Sequence, residues 1–152
     1  MIFRKTYNYI TKKIDMTQED IKQNSADIKR AADLGDLKEN AEYHAAKERQ
    51  ILLHHNLQRL ANQLSNEVVE PEDIDTSIVS FGTRVTYTDG TTNITVSIAG
   101  SAEYDLDLFK NIVTATSPFA KKILGKKVGD SITMDLPAGE KTFTILEIAL
   151  LD

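Results

Sequence analysis

The chain contains no cysteine. Neither a disulfide framework nor a thiolate metal site is therefore possible, and a reducing compartment suits it. It also lacks any apolar run approaching the roughly 18 residues that span a bilayer, and the start Met1-Ile2-Phe3-Arg4-Lys5 has no apolar stretch behind it of the kind a secretion signal needs. A soluble protein of the cytoplasm is expected. Glycine-rich phosphate loops, paired catalytic serine and histidine, and zinc-ligand sets are absent. The three histidines, His44, His54 and His55, do not have the HExxH spacing, and adjacent histidines on a helix point in different directions. Net charge is small, −5 in 152 residues and shared by both halves, which excludes a generic polyanion binder.

What the sequence has is two helical patterns back to back. Tyr7, Ile14, Ile21 and Ile28 recur every seven residues, and Ile10, Thr17, Asn24 and Ala31 fill the positions three further on. This is a coiled-coil seam with one partly polar column. Tyr43, Ala46, Gln50, Leu53, Leu57, Leu60 and Leu64 repeat the seam with alternating spacings of three and four. Two such helices joined by a short connection must run antiparallel, and about 28 residues rise about 42 Å, so the junction lies far from the base. Asp15 to Asp20 is a weak point of the first helix, open to a break or a bend, where Thr17 with Asp20 has the form of a new helix cap. The basic residues interleave with acids as on a solvated face; Lys47 and Arg49, two to three turns behind the junction, are candidate contacts for a phosphate or an acidic protein wall.

The junction itself gathers charge. Asp33, Asp36, Glu39 and Glu42 recur every third residue. Gly35 suits the left-handed position that ends a helix, and Asp36 followed by Glu39 reads as a capping box, which predicts a tight turn of about two residues. Those acids are read either as caps that complement helix dipoles or as ligands for a divalent cation.

Five acids and Pro71 between Glu67 and Ser77 stop the second helix and mark a linker. Beyond it the apolar period falls to two. Strands are expected at 78–81, 84–87, 93–98, 112–115, 131–136 and 141–148. Asp89-Gly90 and Pro137-Ala138-Gly139-Glu140 supply turns, and Ser117-Pro118 starts a short helix ending near Gly125. Lys121, Lys122, Lys126 and Lys127 form a basic cluster that reads as solvated or as facing an acidic partner or nucleic acid.

Residues 35–48, Gly-Asp-Leu-Lys-Glu-Asn-Ala-Glu-Tyr-His-Ala-Ala-Lys-Glu, closely resemble the tip signature of the Gre family of bacterial transcript cleavage factors. The run from Ser117 to Asp130, with its Ser-Pro, Leu-Gly-Lys and Gly-Asp pairs, is similar to that family's C-terminal pattern. Residues 21–152 follow the family; the first 20 follow it poorly. The resemblance implies an α+β chain: an antiparallel coiled-coil hairpin over 1–70 with its tip at 33–42, a linker over 71–77, and a small FKBP-like sheet domain with one short helix over 78–152. It implies a monomeric elongation factor that binds RNA polymerase, inserts the hairpin into the secondary channel and stimulates cleavage of backtracked nascent RNA at its 3′ end.

By the same resemblance the factor is not itself an enzyme. Asp36 and Glu39 are its catalytic and metal-ligating residues, completing a Mg2+ site shared with the polymerase and held only in the complex. Asn40, Tyr43, Lys47 and Arg49 are its nucleic-acid or polymerase contacts, Lys47 standing where the family has a basic residue and giving up an arginine's planar fork. The tip carries no added run of aspartates, which favours cleavage over the inhibition practised by non-cleaving relatives. Two other readings stand beside it. A coiled-coil adaptor explains the heptads and caps equally well. A prolyl isomerase needs an aromatic-lined pocket, for which Phe81, Tyr87, Tyr104, Phe109, Phe119 and Phe143 are the material, mostly at core-like spacings.

Overall fold

The computed structural model describes residues 1–35 and 40–151. The chain divides into two units, one of residues 1–6 with 67–152 and one of residues 7–66.

In the helical unit the seam is buried as its spacing requires. Helix α1 runs Arg4–Ala32 and α2 runs Ala41–Gln63. Ile10, Thr17, Asn24 and Ala31 are buried, and Tyr7, Ile14, Ile21 and Ile28 beside them are half-buried. On α2, Tyr43, Ala46, Gln50, Leu53 and Leu57 are half-buried and Leu60 is buried. The column carrying polar residues is thus the more deeply enclosed of the two on α1. No break occurs at Asp15 to Asp20. Thr17 spends its hydroxyl on the Lys13 carbonyl, 2.7 Å away, and so satisfies itself inside a continuous helix instead of capping a new one. Asn24 has no such outlet: it is 1% exposed, and among the described residues neither polar atom of its amide has a hydrogen-bond partner.

The other unit is a mixed sheet in which β3 (Thr83–Thr88), β4 (Asn93–Ala99), β5 (Ile112–Thr114), β6 (Ser131–Leu136) and β7 (Gly139–Leu150) lie in the order β5-β4-β3-β7-β6. Only β4 and β5 are parallel, so the segment between them crosses over and carries helix α3, Ser101–Asp105. Alternation sends Val85, Tyr87, Val96, Ile98, Phe143 and Ile145 to the core face, where Ile123 of helix α4 (Pro118–Ile123) joins them. The Ser117 hydroxyl caps α4 by accepting from the Ala120 N–H at 3.1 Å. At the β3–β4 turn the Asp89 carboxylate accepts from Lys141 and from the Thr92 and Thr91 N–H groups, which hold it well below the usual carboxylate range.

The α+β class is as expected, but three local features differ. The apolar run at 78–81 is not a strand: Val79 exchanges backbone bonds with Gly125 and Lys126, a loop instead of a sheet edge. The linker contains a two-residue strand β2, Val68–Val69, and a 3-10 turn, Pro71–Asp73. Residues 1–6, which the sequence places in the hairpin, group with the sheet unit because Ile2–Phe3 forms a strand, β1, parallel to β2.

That strand is gripped from the sheet unit. Phe3 N–H donates to Glu103 Oε1 at 2.9 Å, while Glu103 Oε2 accepts from Gly100 N–H at 3.0 Å. The Phe3 ring packs 5.9 Å from Phe81 and 6.2 Å from Phe109. Gly82, at φ 89°, makes room for it: a β-carbon there would stand 2.7 Å from the Phe3 ring. Next along the chain, the Arg4 guanidinium bonds Glu70 and lowers the pKa of its carboxyl.

Glu103 is fully buried. Glu103→Ala would orphan the buried Phe3 N–H at about 1–3 kcal/mol and the half-buried Gly100 N–H at less, so its melting temperature should fall clearly by circular dichroism, with hydrogen exchange accelerating at Phe3 and Gly100. Asn24→Leu should do the opposite. Removing an unpaired buried amide and adding apolar contact should raise stability by about 1–3 kcal/mol in a denaturant melt, with helicity unchanged.

Candidate functional site

The apex of the hairpin is built from the ends of its helices. α1 stops at Ala32 and α2 starts at Ala41, so the connection spans 33–40 and is longer than the tight turn expected. Gly35 does take a positive φ, 141°, a conformation that strains residues with a β-carbon.

The cap is the main correction. The N-cap of α2 is Asn40, not Asp36: its backbone is extended, and its side-chain oxygen accepts from Tyr43 N–H at 3.1 Å. The other end of the same amide donates to the carbonyl of Ala31, in the last turn of α1, at 2.6 Å. A carboxylate at this position offers acceptors only, so it supports the first bond and not the second. Asn40 therefore caps one helix and ties it to the other. Sequence reasoning marked Asn40 as a contact for nucleic acid or polymerase; in the structure both ends of its amide are already engaged.

Asp36 and Glu39 lie outside the described residues. Of their companions in the acidic run, Asp33 and Glu42 are exposed. Tyr43 is half-buried in the first turn of α2 with its ring edge-on to His44, centroids 5.8 Å apart. Lys47 is exposed and its ammonium donates to Gln50 Oε1 at 3.2 Å. Arg49 is exposed too, but two residues of helix rotate it about 200° from Lys47. Tyr43 and Lys47 share one side of α2 and Arg49 stands on another, so Lys47 and Arg49 do not form a joint clamp on a single phosphate. Among the described residues no three His, Asp or Glu side chains gather in a way that could hold a metal ion, His44, His54 and His55 included. Lys121, Lys122 and Lys127 are exposed and Lys126 is half-buried.

The aromatics named for an isomerase pocket are used otherwise. Phe81, Tyr87 and Phe143 are buried in the sheet cores, Phe109 and Phe119 pack against them, and Tyr104 is exposed. No helix among the described residues is long and apolar enough to cross a membrane.

A helical unit of two long helices joined in sequence to a small mixed sheet defines a two-unit α+β class of protein. Residues 1–69 match the model of the N-terminal domain of transcription elongation factors, and residues 74–150 match the GreA/GreB C-terminal model. The chain belongs to the GreA/GreB family of transcription elongation factors. It is 40% identical over 129 residues to transcription elongation factor GreA of Orientia tsutsugamushi (strain Ikeda), covering 84% of this chain and 81% of that one. With GreA of Aliarcobacter butzleri it shares 35% over 146 residues, 93% of this chain and 89% of the relative. The crystal structure of GreA factor homolog 1 (Gfh1) of Thermus thermophilus overlaps 97% of this chain and 96% of that chain at 21% identity and a TM-score of 0.43.

The dual bond of Asn40 yields a graded test. Asn40→Ala should cost about 1–2 kcal/mol and raise hydrogen exchange in residues 28–46 without disturbing the sheet unit. Asn40→Asp keeps the cap but loses the donor to Ala31, so its effect should be intermediate.

Proposed function

We propose that this chain is an accessory factor for RNA polymerase whose hairpin enters the secondary channel and whose tip promotes cleavage of backtracked nascent RNA. The observation that carries this reading is the division of labour at the apex. Asn40, a neutral residue, does the capping of α2 and the cross-helix tie, so the reading gives the cap to Asn40 and the metal role to Asp36 and Glu39 of the family signature.

In the complex, Asp36 and Glu39 would supply oxygen ligands to a Mg2+ ion shared with the polymerase. Such an ion would supply Lewis-acid activation of a water and stabilisation of negative charge at a phosphodiester. Two carboxylates are a weak Mg2+ site by themselves, since the ion keeps several waters and near-octahedral geometry, so the polymerase must complete the shell. Tyr43 and Lys47, on one side of α2, would face the transcript or the channel wall, and Arg49 a different surface. A soluble factor of the cytoplasm, acting as a monomer on polymerase and the RNA 3′ end, follows from the same reading.

The test separates charge from fold. Asp36→Asn with Glu39→Gln removes two charges while keeping size and hydrogen-bonding capacity. The double variant should retain its helicity and compete with the parent protein for polymerase, yet leave cleavage of backtracked RNA at the polymerase's intrinsic rate. Each single variant should recover partly as Mg2+ is raised, because mass action offsets weakened ligation. Full cleavage by the double variant would reduce the protein to a non-catalytic occupant of the channel.

A further inference from the structure

The most deeply enclosed polar side chain of the helical unit is the one with nothing to bond. Asn24 is 1% exposed, and among the described residues neither atom of its amide has a hydrogen-bond partner. The register of the two helices tells what lies level with it. Asn40 bonds both the Tyr43 N–H and the Ala31 carbonyl and so holds those two residues at one height. In an antiparallel pair, seven residues back along α1 match seven residues on along α2. Asn24 therefore stands level with Gln50, Thr17 with Leu57 and Ile10 with Leu64. Gln50 is half-buried and carries an amide of its own, but its oxygen accepts from the Lys47 ammonium at 3.2 Å and no bond joins it to Asn24.

The helix around Asn24 is softened in a second way. Thr17 donates its hydroxyl to the Lys13 carbonyl at 2.7 Å and Ser25 donates to the Ile21 carbonyl at 3.1 Å, bonds that compete for helix carbonyls and bend the helix. In the enclosed column of α1, no aliphatic side chain stands between Ile10 and Ala31. The layers on either side are better held. Toward the base, Ile10 and Leu60 are buried aliphatics. Toward the tip, the Asn40 amide ties α2 to Ala31 at 2.6 Å.

Parting a helix pair ordinarily costs free energy because apolar surface meets water. At Asn24 the sign of the local term is reversed. The closed form carries the desolvation of an unbonded amide, and opening returns that amide to water. The layer that gains most from hydration is also the layer with least apolar surface to lose.

We propose that the hairpin opens locally at the Asn24–Gln50 layer, admitting water between its helices while the tip stays tied and the Ile10 layer stays packed. The opening belongs to the chain by itself, so its test needs neither polymerase nor metal. The full chain, labelled with nitrogen-15, is followed by amide hydrogen exchange at several low urea concentrations. Amides of residues 21–27 should be at least about tenfold less protected than those of 8–14, at rates that urea barely changes, because a local opening exposes little surface. Asn24→Leu should raise protection at 21–27 by about tenfold or more, and by clearly more than at 8–14. Asn24→Met, unbranched and more adaptable, repeats the substitution with less demand on the packing. The proposal is overturned by 21–27 being as well protected as 8–14, or by exchange at 21–27 rising with urea as steeply as global unfolding does. It is overturned equally if both variants leave 21–27 unchanged or protect every amide by one common factor.

Discussion

The hairpin depends on ties at its ends, because its middle is poorly suited to fixing its register. Apolar side chains in the seam each contribute about 1.5–3 kcal/mol when fully buried. Asn24 works against them: buried with both polar atoms unpaired, it subtracts about 1–3 kcal/mol where packing should be best. Thr17 adds little, its hydroxyl turned back on its own helix. The ends do what the middle does not. At the tip, one amide joins Asn40 to Ala31. At the base, the strands that enter and leave the hairpin pair as Ile2 with Val68 and Phe3 with Val69, and the Glu103 carboxylate holds the first of them. A slip by one heptad would forfeit all of these bonds at once.

Much of this was legible in the sequence where a period persists. Heptads over two long helices and alternation over strands of six or seven residues predicted the elements and the α+β class, and Ser117-Pro118 predicted the start of α4. The base was not legible, for a physical reason. A two-residue strand has no period, and its decisive bond joins Phe3 to a carboxylate 100 positions away. In the sequence Glu103 is one acid among many. Val79 misled in the opposite direction, since an apolar run that packs into the core by loop bonds has the composition of a strand without the ladder.

The tip was legible in its wording and not in its mechanics. Asp36 and Asn40 are both favoured N-cap residues, each followed by a helix-compatible run, and local propensity does not choose between them. What decides is a contact with the other helix. The Ala31 carbonyl stands in the last turn of α1, where it accepts from Leu34 N–H at 3.2 Å and takes a second donor from Asn40 at 2.6 Å. Asparagine brings a donor and an acceptor on one planar group, whereas aspartate brings acceptors alone.

That choice bears on the acids. Lys29 and Arg30 stand in the last turn of α1, where positive charge complements the exposed carbonyls, and Glu42 stands in the first turn of α2, where negative charge complements the exposed N–H groups. With the cap at Asn40 neutral, Lys29, Arg30 and Glu42 are the charged residues among those described that complement the two helix termini. A carboxylate employed as a cap shares its charge with backbone N–H donors and is a poorer ligand for a cation. Assigning the α2 cap to a neutral residue therefore lets the first turn of that helix be satisfied without drawing on a carboxylate at position 40.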